Sequence, residues 1–165
     1  MITYRRAEPN DIQVICGLVG RVKDTLIQNG IFQWDEVYPV KDNFLEDINK
    51  GHLYIGLMDG RTAVLYALNQ EFDEQYGRGR WKNEAEPFYV VHRLCVEPDF
   101  QNKGIARRTL LHIEEVLKES GIHSVRLDVF SGNPFALKLY DSMGYTKTGC
   151  CEWRKGTFYL MEKYF

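Results

Sequence analysis

Apolar residues recur along this chain with two different periods, and the switch between them marks out the elements. After Asn10 and Asp11, either of which can cap a helix, Ile12, Ile15, Val19, Val22 and Leu26 return every three or four residues until Asn29-Gly30. This predicts a first helix. A linker carrying Trp34, Asp35, Glu36, Tyr38 and Pro39 leads to a shorter helix, in which Phe44, Leu45 and Ile48 share one side and Gly51 stands where a C-cap belongs. The pattern then shortens to strand-length runs at 52–58 and 62–68, separated by Asp59-Gly60, a dipeptide favoured in tight hairpin turns. Residues 70–86 are dense in charge, hold Gly77 and Gly79, and read as a long polar loop or ragged strand ends, of a length that points to function or disorder.

A further strand is expected at 88–96, stopped by Glu97-Pro98 because proline cannot continue a ladder. Residues 101–106 form a loop, and Ala106, Leu110, Ile113 and Leu117 define a helix closed by Ser120-Gly121. Val125, Leu127 and Val129 alternate with Arg126 and Asp128 as a strand. A helix opening at Asn133-Pro134 runs to Met143-Gly144, and 145–153 with 157–164 can close a hairpin around Lys155-Gly156. The order is helix, helix, three strands, helix, strand, helix, two strands. Between 88 and 129 lies a strand-helix-strand unit long enough for a parallel pair with a right-handed crossover.

Composition narrows the classes. A chain of 165 residues with 44% hydrophobic positions fits one domain, 1–165, with a real core. Lys and Arg total 21 against 23 for Asp and Glu, a net charge of −2, so no overall basic field exists to hold a nucleic-acid backbone. Apolar runs fall short of the ~20 residues that span a bilayer, and the opening residues lack the apolar stretch of a signal peptide, which predicts a cytoplasmic protein with no membrane partner. Cysteines 16, 95, 150 and 151 show no CxxC spacing and are expected as free thiols; no metal is expected.

The chemistry concentrates in 94–108. A strand ends, a loop turns, and a helix starts beside Gly104, which Lys103 and Arg107 flank. The first helical turn leaves amides unpaired at the positive end of the dipole, so an anion with several oxygens can take those donors. On the residues alone, a merely solvated helix start fits as well. GxxxxGK[ST] is absent, and Gly77-Arg78-Gly79 lacks the third glycine and the preceding strand of a dinucleotide fingerprint.

The segment Gln101-Asn102-Lys103-Gly104-Ile105-Ala106 resembles the Q/R-x-x-G-x-G/A signature of the GCN5-related N-acetyltransferase (GNAT) superfamily, and it follows a strand ending in Val-Glu-Pro as in that family. Asn133-Pro134-Phe135-Ala136-Leu137-Lys138-Leu139-Tyr140, with Met143-Gly144-Tyr145 after it, is similar to the family's second segment. Tyr4 to Asp11 resembles its first strand and helix entry. The resemblance covers the whole chain, most strongly 94–145. It implies the acyl-CoA N-acyltransferase fold: mixed α/β, with a mostly antiparallel central sheet flanked by helices. It implies acetyl-CoA as cosubstrate, with the amides of Asn102, Lys103, Gly104, Ile105, Ala106 and Arg107 on the pyrophosphate and Gln101 shaping the turn. Leu94 and Val96, around Cys95, would offer backbone groups to the pantetheine arm. Asn133 would bond the arm and Phe135 would pack near it. The family carries a bulge near that strand end which the sequence does not reveal, and Ala106 replaces its second glycine.

Acetyl transfer to an amine needs a proton acceptor, a donor to the developing oxyanion, and a proton for the departing thiolate. Tyr140, two helical turns from Asn133, matches the family's proton donor. His92, two residues before Leu94 and so on its strand face, is a plausible base, with Glu86 or a water relay as competitors; a hydrogen-bonded structural histidine is the plain alternative. Trp34, Asp35, Glu36 and Tyr38 suit a cationic amine, or simply brace the two helices. Cys95 reads as a packing thiol. The acceptor, small molecule or peptide, stays open. Two rivals to the enzyme are a catalytically silent CoA-binding domain and a nucleotide-binding regulator. Phe158, Tyr159 and Leu160 could serve a homodimer as easily as the core.

Overall fold

The computed structural model describes residues 1–165. It contains strands β1 (Thr3–Arg6), β2 (Leu53–Met58), β3 (Arg61–Asn69), β4 (Phe88–Val96), β5 (Ser124–Phe130), β6 (Thr146–Trp153) and β7 (Gly156–Tyr164). Its helices are α1 (Ile12–Gln28), α2 (Lys41–Asn49), α3 (Ile105–Glu119) and α4 (Pro134–Ser142). The fold class is the expected mixed α/β one, mostly antiparallel: β1 with β2, β2 with β3, β5 with β7 and β6 with β7 are antiparallel, while β4 runs parallel to β5. Strand β1 has no hydrophobic period, and only the family resemblance located it.

The chain packs as two compact units, residues 1–68 with 93–109, and 69–92 with 110–165. In the first, Ile15, Leu18, Val19 and Val22 of α1 and Phe44 and Ile48 of α2 bury against Leu53, Ile55, Leu65, Ala67 and Cys95. Each such side chain stabilises the fold by roughly 1.5–3 kcal/mol relative to exposure. The other face of the same strands packs Ala63, Val64, Leu94 and Val96 with Phe100 and Ile105. Gly56 is required by space, since a Cβ there would lie 2.5 Å from Val64 Cγ1.

In the second unit, the segment expected as a loose polar loop is a seated strap. Residues 74–78 form a short 3-10 helix, capped by Asp73, whose side chain accepts from the Gln75 amide. Tyr76 packs with Val90, Cys151 and Leu160, and Trp81 and Phe88 join the same cluster. Main-chain bonds fix the seat: Arg80 N donates to Thr148 O at 2.8 Å, and the Gln75 side chain donates to Glu152 O at 2.9 Å. The alternation in β5 would normally leave Arg126 and Asp128 solvated. Here the strap roofs that face. The Arg126 guanidinium lies 4.2 Å from the Trp81 ring and 3.7 Å from the Phe88 ring, and Asp128 accepts from the Tyr76 hydroxyl at 2.6 Å. In the closing hairpin Leu160 is fully buried, and Phe158 packs on Trp153 and Phe130, so these side chains serve the unit's own core.

Candidate active site

Within the first unit the site is made by main chain. After β4, turns at 97–101 close through Phe100 N to Glu97 O and Gln101 N to Pro98 O, and the Gln101 side chain donates back to Val96 O at 3.1 Å. Asn102 (φ +61°) and Gly104 (φ +72°) are both left-handed, and α3 starts at Ile105. The first amide of this stretch to find a chain acceptor is that of Arg108, which bonds Gly104 O. The amides of Asn102, Lys103, Gly104, Ile105 and Ala106 have none. Alternating left- and right-handed residues turn successive N–H groups into a concave nest, and the helix dipole adds positive potential. The Lys103 ammonium turns back to Asp99 O at 3.0 Å and lies over the Phe100 ring, while Arg108 reaches Lys103 O.

Arg93 is left-handed within β4. Its φ is +53°, and the parallel ladder of β4 with β5 comprises only Phe88–Ser124, Tyr89–Val125 and Val90–Arg126, although both strands continue. A left-handed residue breaks the two-residue alternation, so the inference that His92 and Leu94 share a face does not carry across it. From 94 to 96 alternation resumes, with Cys95 in one apolar cluster and Leu94 and Val96 in the other. Burial holds the Cys95 thiol far above its ordinary range, with Glu97 adding to the shift, so it stays protonated and packs.

The Arg93 guanidinium is bidentate on Asp47, Nε to Oδ2 at 2.8 Å and Nη2 to Oδ1 at 2.6 Å, and Nη1 donates to the Tyr38 hydroxyl at 2.8 Å. Asp47 shows a signal that could have been read in the sequence: it stands at i+3 from Phe44 and beside Ile48, on the apolar stripe of α2. In the linker, Asp35 Oδ1 accepts from the amides of Val37 and Tyr38, and Trp34 packs on the α1–α2 cluster. Three of the four residues that suited a cationic amine are therefore engaged in bracing.

In the second unit the candidates act through side chains. Asn133 caps α4, its Oδ1 accepting from Ala136 N at 3.1 Å. Phe135 is 65% exposed. Tyr140 lies two turns further on the same helix, buried, edge-on to Tyr145 with ring centres 5.6 Å apart. Burial first, and the Asp128 charge second, push its hydroxyl well above the ordinary value of 10, and no chain group hydrogen-bonds it. His92 Nε2 lies 2.9 Å from Asn69 Oδ1 and 3.0 Å from Glu71 O. Since Asn69 Oδ1 also accepts from Glu71 N, that atom is an oxygen, so Nε2 carries a hydrogen and donates to it.

A family model described as acetyltransferase (GNAT) family matches residues 27–145. The chain belongs to the GNAT family. A [ribosomal protein bS18]-alanine N-acetyltransferase of Salmonella typhimurium is 35% identical over 102 residues, 60% of each chain. An uncharacterized protein of Mycobacterium leprae, ML0378, is 28% identical over 123 residues, 74% of this GNAT chain and 31% of its own. The chain thus spans between a third and three fifths of the length of these relatives. Among solved structures, a GNAT-family acetyltransferase from Streptococcus agalactiae superposes with a TM-score of 0.88 at 23% identity, covering 99% of this chain and 95% of that one. The PaiA N-acetyltransferase of Thermoplasma acidophilum, solved with coenzyme A, gives 0.71 at 18% identity, covering 100% and 99%. Both show the fold. No helix here is long and apolar enough to cross a membrane.

Proposed function

We propose that residues 1–165 act as one acetyltransferase domain that moves the acetyl group of acetyl-CoA directly to a primary amine. The observation that carries this is the run of five unpartnered amides at 102–106, which suits the diphosphate of coenzyme A and is placed as the family motif requires. Coenzyme A in the PaiA structure supports the same ligand.

In this reading the amides from Asn102 to Arg107 hold the diphosphate, Leu94 and Val96 offer backbone groups to the pantetheine arm as an added strand would, Asn133 bonds the arm, and Phe135 packs beside it. The amine attacks the acetyl carbon and loses a proton; the C–S bond breaks, and the thiolate leaves as a thiol. Tyr140, kept protonated by its buried setting, supplies that last proton. His92 accepts the amine's proton. The Salmonella relative names a protein alanine as its acceptor, so peptides with a free N-terminal alanine stand beside polyamines and amino acids as candidates.

Calorimetry with coenzyme A and acetyl-CoA, followed by thiol release in a screen of those amines, tests the reading. Heat on binding and release of free thiol with at least one amine are expected. Tight binding without release would favour a silent CoA-binding domain, and ATP stabilising the protein more than coenzyme A would favour a nucleotide-binding regulator.

A further inference from the structure

Arg93 stands at φ +53°, a conformation that L-residues other than glycine rarely adopt. Such a residue persists only where its surroundings over-determine it. The surroundings here are specific. Asp47, 6% exposed, presents both carboxylate oxygens to the guanidinium from the apolar stripe of α2, and the Tyr38 hydroxyl closes a third side. A carboxylate buried among apolar side chains is tolerable only when paired, and breaking such a pair is far more costly than never having built it. The peptide unit directly after this clamped residue carries the Leu94 amide, so the dihedrals of Arg93 set where that N–H points.

We propose that Arg93, held by Asp47 and Tyr38, is a positioning residue that aims the Leu94 amide at the acetyl carbonyl. An acid on α2 that touches no substrate then governs recognition of the acyl group. The proposal rests on the assignment of 94–96 to the thioester end of the ligand; it adds the clamp that makes that assignment work.

The test compares the affinities of coenzyme A and acetyl-CoA, which needs no acceptor. The wild type is expected to prefer acetyl-CoA. Arg93→Gly accepts the same φ without strain but has no guanidinium, so it should bind coenzyme A within twofold of wild type while losing the preference for acetyl-CoA. With any amine found to accept the acetyl group, its turnover should fall at least tenfold, since a mis-aimed oxyanion donor acts on the transition state. Asp47→Asn, which keeps shape but loses charge, should behave alike, and Arg93→Lys, which loses the bidentate fork, tests the clamp if the glycine variant does not fold. A wild type that binds both ligands equally, or variants that keep the preference, would overturn the proposal. A wild type that binds neither would overturn the underlying reading at the cradle rather than at the clamp.

Discussion

In the proposed reading, residues 101–107 and helix α4 would serve the reaction by opposite means. The first offers main-chain hydrogens shaped by two left-handed residues, and its basic side chains turn back onto the chain's own carbonyls and a ring. The second offers side chains from one helix face, Asn133 and Tyr140, with the backbone merely spacing them two turns apart. A main-chain site should forgive side-chain replacement and resist any change of dihedral; a side-chain site should do the reverse.

The sharpest way to break this contrast is at Tyr140. Tyr140→Phe removes one oxygen from a buried ring and should lower turnover by ~10²-fold, the scale of general acid help, with coenzyme A affinity unchanged. The hydroxyl's raised pKa keeps the acid form present beyond pH 10, so the rate should show no alkaline limb from this group below that value. A limb that lies lower and persists in Tyr140→Phe would assign the acid elsewhere.

At Gly104 the effect should be smaller and should appear in binding. A Cβ there meets nothing within 4 Å, so Gly104→Ala costs only conformation, φ being +72°. About 1–2 kcal/mol of strain corresponds to a loss of coenzyme A affinity on the order of tenfold in calorimetry. Smallest of all is Lys103→Ala. Its ammonium is already engaged by Asp99 O and Phe100, and an exposed charge contributes ~1 kcal/mol or less, so affinity should drop less than about fivefold. A larger loss for Lys103→Ala than for Gly104→Ala would reverse the contrast.

The same contrast explains what could be read in advance. Amphipathic helices, the Asp59-Gly60 hairpin and the parallel crossover all follow from periodicity, because one buried face imposes one period. The cradle was legible through Gly104, whose dihedral only glycine adopts cheaply. Its second left-handed residue, Asn102, was ambiguous, and the left-handed Arg93 was invisible, because a long-range ion pair stabilises it and no local rule anticipates arginine at positive φ. The segment 70–86 reads as a long polar loop, and its seat on β6 was not legible for a related reason. Its charged residues face outward while Tyr76 and Trp81 insert singly, too sparsely to form a periodic signal. The sequence offers His92 as a plausible base, but the hydrogen bond that Nε2 makes depends on Asn69, twenty-three positions earlier.

The strap's attachment has a consequence for divergence. Its seat relies on carbonyls of β6 and on Gly149, where a Cβ would approach Arg78 O to 2.9 Å, so the constraint falls on one hydrogen-sized gap and two aromatic plugs. Apart from Asp73, whose carboxylate caps the short 3-10 helix, the exposed acids and bases of the strap carry none of it. This excursion can be recoded almost freely in charge while keeping its path, and homologues should differ there in electrostatic dress long before they differ in shape.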